Sequence, residues 1–157
     1  MGAFSWEIGA GIEKNWFLTI SPNENRDLLS ISRQIMGHSP DLQHWEFNDS
    51  KPPKDWDRKF SLYDELMDER AIDASAWKFA VIEGEYGKVD VILEADNIQH
   101  LDYETTLTAG NLLVLGELGE ELKIKKIGTI EVVQSLGQEY KEDKFDIADL
   151  REHFRSI

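Results

Sequence analysis

The chain has 157 residues, of which 17 are Lys or Arg and 31 are Asp or Glu, giving a formal net charge of −14, and none is Cys. That length buries a substantial core as one domain over 1–157 without metal or disulfide staples, and the missing cysteines exclude thiolate metal sites, iron–sulfur clusters and thiol nucleophiles. The charge opposes phosphate backbones and anionic lipid. With no signal-peptide pattern and no run near the ~20 apolar residues of a membrane span, the expected setting is cytoplasmic, away from nucleic acid and membrane.

Residues 15–20, NWFLTI, are bulky and β-branched without alternation, the pattern of a central strand buried on both faces. SPNE follows. Ser21 as N-cap, Pro22 at the first helical position and Glu24 three residues after the cap predict a capping box and a helix to about Met36. Leu28, Ile31 and Ile35, with Leu29 and Met36, give that helix an apolar face, and Gly37 is expected as its left-handed stop. QHWEF then alternates, sending Gln43, Trp45 and Phe47 to one side of a half-exposed strand and His44 and Glu46 to the other. Asn48 to Asp57 is polar and carries Pro52 and Pro53, which suit neither a helix interior nor a central strand, so an exposed loop is expected.

A short strand over 59–63 and an acidic turn are expected next. WKFAVI and KVDVILEA, joined through EGEYG, read as a β-hairpin. A helix capped by Asp102 is expected to bury Tyr103, Leu107, Val114 and Leu118 and to end at Gly119, with Gly110 and Gly116 either weakening it or letting it pack close to a sheet. Residues 122–126 and 128–133 read as one long or two short strands, with Gly128 as a bulge or corner. A last helix from Asp146 carries Ile147, Leu150 and Phe154 on one face. The order is α+β. It implies a two-layer sandwich, a mainly antiparallel sheet with helices packed on one face, compatible with a ferredoxin-like arrangement bearing an inserted loop segment.

No catalytic constellation accompanies this order. His38, His44, His100 and His153 lack the spacing that stacks two ligands on a helix face, so no metal site and no cofactor is expected. SAWK matches the serine acyl-enzyme spacing S-x-x-K without its companion motifs, and EIGAGIE lacks the third glycine of a dinucleotide fingerprint. DWDRKFSLYDEL opens like a calcium loop but has Phe60 where glycine is required and Leu66 where a bidentate glutamate belongs.

What stands out is acidity near an aromatic residue. Trp56, flanked by Asp55 and Asp57, either presents itself to a basic surface or folds back as a lid on the core. The candidate partner-binding residues are Asp49, Asp55, Trp56 and Asp57 on the loop, and Asp64, Glu65, Asp68 and Glu69 after it.

FLTISPNEN, PDLQHWEFNDSKPP and GELGEELKIKKIGTIEVV together resemble a group of small, uncharacterised acidic bacterial α+β domains. These share a P-x-x-x-x-W-x-F-x-x-x-x-P-P segment and a closing G-E…I-G-x-I-E strand, motifs of a fold and not of an active site. In size, acidity and inferred architecture the chain is similar, by analogy, to the regulator of ribonuclease activity B family, which implies action by binding an enzyme instead of by catalysis. The expectation is a non-enzymatic acidic protein of inhibitor or immunity type engaging a basic protein partner. Two alternatives stay open. One is a small-ligand protein or enzyme using carboxylates with His44 or His100 in a cleft beside residues 48–75, and the other is an oligomeric component, a homodimer through an uncovered sheet face.

Overall fold

The computed structural model describes residues 3–156. The chain is α+β, and the described residues form four α-helices and three small sheets. It divides into two compact units, one made of residues up to Pro53 with Gly119–Lys125, the other of Lys54–Leu118 with Lys126 onward. No helix of the described residues is long and apolar enough to cross a membrane.

The first unit holds β1 (Ser5–Ala10), β2 (Trp16–Ser21), α1 (Arg26–Gly37) and β3 (Trp45–Asn48). β2 is the middle strand of a three-stranded sheet, antiparallel to β1 and parallel to β3. It is a central strand, as its sequence implies, but only Thr19 to Ser21 are buried, while Trp16 stays half exposed. β1 is a strand that composition alone leaves unassigned, because SWEIGA sits between glycines and is too short for its alternation to stand out.

The capping box does not form. Ser21 ends β2, and the turn after it is left-handed at Asn23 (φ 53°) and Glu24 (φ 60°), so helix α1 starts later, capped by Asn25, whose side chain accepts from the Asp27 amide at 2.9 Å. Gly37 is not a left-handed stop either, since it closes α1 in helical conformation and His38 caps it at φ −95°. The freed side chains serve tertiary contacts. Ser21 Oγ donates to Glu120 at 2.7 Å, and the Glu24 carboxylate pairs with Lys123.

Residues 122–126, expected as strand, are helical in α3 (Glu120–Lys126). Leu122 and Ile124 fit either period. What decides is Gly119 at φ +77°, which ends the preceding helix and lets a new one begin, with a Glu121–Lys125 pair one turn apart. Glu120 is the buried hub of this unit: it accepts from Ser21 Oγ, from the Glu24 amide at 2.8 Å and from the Lys51 amide at 3.0 Å.

The second unit holds β4 (Lys59–Tyr63) and β5 (Glu69–Asp73), which pair as a two-stranded antiparallel sheet, and β6 (Lys78–Glu83) and β7 (Val89–Glu94), the expected hairpin. α2 (Tyr103–Leu118) then crosses to β8 (Ile127–Val133), parallel to β7, and β9 (Phe145–Asp146) adds to the other edge before α4 (Leu150–Arg155). Asp102 caps α2, accepting from the Thr105 amide at 2.8 Å and its hydroxyl at 2.6 Å. Val114 and Leu118 are buried and Leu107 partly so, but Tyr103, expected in the core, is exposed because the cap places the first turn in solvent. Gly110 admits β8: a Cβ there would lie 2.5 Å from Val132. Gly128 is the expected bulge, sitting with Thr129 opposite Asp90 where the β7–β8 register shifts.

Strands that the sequence assigns to one mainly antiparallel sheet thus divide among three, two of them mixed, and their order is not ferredoxin-like. The cause is local. Pro52 and Pro53 interrupt pairing after β3, and β4 finds its partner in β5 across a tight turn.

Candidate functional site

The candidate partner residues fall into three groups. Asp49 belongs to the first unit, where it is part-buried and accepts from Arg33 Nε at 3.1 Å. Arg33 also binds Glu121 at 2.8 Å, and these two carboxylates hold the guanidinium firmly protonated. Asp49 is therefore engaged internally.

Asp55, Trp56 and Asp57 belong to the second unit. The two aspartates are exposed, but Trp56 is half-buried and held by its own chain. Its indole N–H donates to buried Glu117 at 2.8 Å, its ring lies 5.5 Å from that of Phe60, and Lys54 Nζ stands 5.3 Å above it. Gly116 makes room for the ring: a Cβ there would meet Trp56 Cζ2 at 2.4 Å. Arg58 completes the node, with Nε 3.0 Å from Glu117. Glycine-glutamate in a helix, facing an indole and an arginine some sixty residues earlier, has no local signal in the sequence.

Around this node lies a cavity of about 200 Å³, lined by Lys54, Asp55, Trp56, Arg58, Glu117 and Arg151 among others. None of the lining residues is His, so neither His44 nor His100 joins the carboxylates as a small-ligand cleft would require. His44 Nδ1 instead lies 3.0 Å from Asn15 Oδ1, and Glu46, its expected neighbour, accepts from the Ile12 amide at 2.6 Å. Among the described residues, no group of three or more His, Asp or Glu side chains could hold a metal ion.

The third group forms the turn between β4 and β5. The Asp64 N–H donates to the Asp68 carbonyl at 3.0 Å, leaving Glu65, Leu66 and Met67 as a three-residue loop. Asp64 is buried and organises it: Oδ1 accepts from the Leu66 and Asp68 amides at 2.9 Å each, and Oδ2 from Arg70 Nε at 2.7 Å. The Asp68 amide, followed by Arg70, holds the Asp64 carboxyl below the usual carboxylate range. Below the turn, Leu62 and Ile72 bury one face of the hairpin, so the tip stands on a packed base.

At the tip, Leu66 is 80% exposed and Met67 74%, with Glu65, Asp68 and Glu69 exposed around them. Met67 has φ +64°, the left-handed position that a loop of this length normally fills with glycine. A large apolar side chain is thus carried where backbone sterics disfavour one, by about 1–2 kcal/mol. Sequence reasoning picks out the acidic residues of this turn but misses its two apolar ones, which look like ordinary core candidates until β5 is known to pair with β4.

No protein family model, no curated protein and no solved structure matches this chain.

Proposed function

We propose that this chain is a non-enzymatic acidic binding protein of inhibitor or immunity type, and that the β4–β5 tip is the element that engages a basic protein partner. The observation that carries this reading is the exposure of Leu66 and Met67 at a turn fixed by Asp64 and ringed by Glu65, Asp68 and Glu69. Apolar anchors supply desolvation energy at the centre of a contact, and the surrounding carboxylates steer a cationic surface toward it and exclude an anionic one. Because the turn is already hydrogen-bonded, little ordering entropy opposes binding. Asp55 and Asp57 precede β4, at the end of the hairpin away from this tip, so they add to the acidity of the unit and not to the rim, while Trp56 acts as a structural support and not as an anchor. The net charge of −14 adds long-range attraction for a basic partner in a cytoplasmic setting. The similarity to the regulator of ribonuclease activity B family is proposed only at this level, an acidic protein that acts by occupying a basic one.

The test compares capture from native-host lysate by the wild type and by a Leu66→Ser, Met67→Gly double variant, each washed at low and then high salt. A basic protein retained by the wild type, released by salt and missing from the variant supports the reading. Equal retention by both removes the tip as the contact. A small-ligand reading rests on the cavity beside Trp56, whose volume of about 200 Å³ is below that of ordinary ligand sites.

A further inference from the structure

The first unit carries a surface that the hairpin reading leaves unused. In the β1–β2–β3 sheet, cross-strand register puts Trp6, Ile8 and Ala10 on the same face as Ile20, Leu18 and Trp16, and β3 adds Trp45 and Phe47 to that face. None of these residues is charged, in a chain with 31 acidic residues. Trp6 is 63% exposed, Ile8 67% and Trp16 51%. β1 is also an edge: among the described residues no strand pairs with its outer side.

Natural edge strands are blunted against pairing by lysine, proline or a bulge. SWEIGA has neither residue, its one charged side chain, Glu7, is paired with Lys51, and its register with β2 runs without a shift from Ser5 to Ala10. An undefended edge beside an exposed apolar face calls for an occupant, and the strand itself specifies which. Two antiparallel copies of β1 keep their apolar faces together only if paired positions share parity. Centring the pair on Glu7 opposes two carboxylates. Centring it on Ile8 sets Ile8 against Ile8, a β-branched pair, and Trp6 against Ala10 and Glu7 against Gly9, so the two bulkiest flanking side chains each meet a small one and no like charges face each other. Glu7 already has its cation, Lys51 Nζ at 3.1 Å. A basic partner, by contrast, finds no anion on this face to pair with.

We infer that β1 pairs antiparallel with β1 of a second copy, about a two-fold axis through Ile8, joining two three-stranded sheets into one of six strands. The contact is isologous and does not rest on the hairpin tip, which belongs to the other unit.

Sedimentation of the full chain tests it, with a mass twice the 18.1 kDa of one chain expected. Ile8→Lys, at a largely exposed position, places two ammonium groups on the axis and should return the mass of one chain that still melts cooperatively, with a midpoint that no longer rises with protein concentration. The absence of native cysteine allows the register to be read directly. An Ile8→Cys variant should cross-link to itself under mild oxidation about tenfold faster than Glu7→Cys, whose opposite residue is Gly9. A wild type that sediments as a single chain, a dimer that survives Ile8→Lys, or faster cross-linking of Glu7→Cys would each overturn the proposal.

Discussion

Met67 is the residue where stability and the proposed role conflict. Its left-handed backbone is the natural place for glycine, so Met67→Gly should stabilise the second unit by about 1 kcal/mol while weakening partner capture. Urea denaturation and the capture assay together check both halves. Gly116 poses the opposite problem. Gly116→Ala gains helix propensity, about 1 kcal/mol, but its methyl would sit 2.4 Å from the Trp56 ring, an aromatic wall that cannot swing away while its N–H is bound to Glu117. The clash should win, leaving a net loss of about 1–2 kcal/mol, seen as a lower urea midpoint and a changed tryptophan emission. In the first unit, Glu120→Ala strips the acceptor from Ser21 Oγ and two backbone amides inside the protein, and should cost on the order of 3 kcal/mol in the same measurement.

At the scale of elements, the β4–β5 hairpin depends on one carboxylate. The Asp64 carboxyl titrates below its unfolded value because the charged form is the one hydrogen-bonded, so its contribution to the turn is complete above the ordinary carboxylate range near 3.9 and is lost as pH falls through the depressed folded value. Amide exchange at Leu66 and Asp68 should therefore stay protected, relative to the intrinsic rate, down to about pH 4 and lose protection only in stronger acid. Asp64→Ala should remove that protection at neutral pH. Preserved protection in the variant would assign the turn's order to its backbone bonds alone. The strand β4, the β6–β7 hairpin, the Asp102 cap and the Ile147–Leu150–Phe154 face could be read from sequence, because each is specified by residues within one or two turns of itself. β5 and α3 could not. ERAID and EELKIKK carry no period strong enough to choose strand from helix, and their partners choose for them.

For the whole molecule, the charge of −14 is a statement about encounter, not about fold. If the hairpin tip meets a basic protein, the association rate should fall about tenfold between low and near-molar salt and dissociation should quicken as well, because screening weakens both the approach and the contacts of Glu65, Asp68 and Glu69 with the partner's cations. Stopped-flow measurement against the captured partner checks this. By itself the sequence determined the α+β class, the acidity, the lack of any cysteine chemistry and the acidic turn around residues 64–69, all of which depend on composition or on neighbours in the chain. Tertiary structure alone decided that Ser21 and Glu24 serve Glu120 and α3 instead of capping a helix, and that Trp56 is pinned by Glu117. It also decided that Leu66 and Met67 stand in solvent and that Trp6 and Ile8 line an open edge. Those outcomes turn on which distant segment supplies a hydrogen-bond partner or covers an apolar side chain, and hydrophobic pattern along a chain records that a residue prefers burial, not whether anything arrives to bury it.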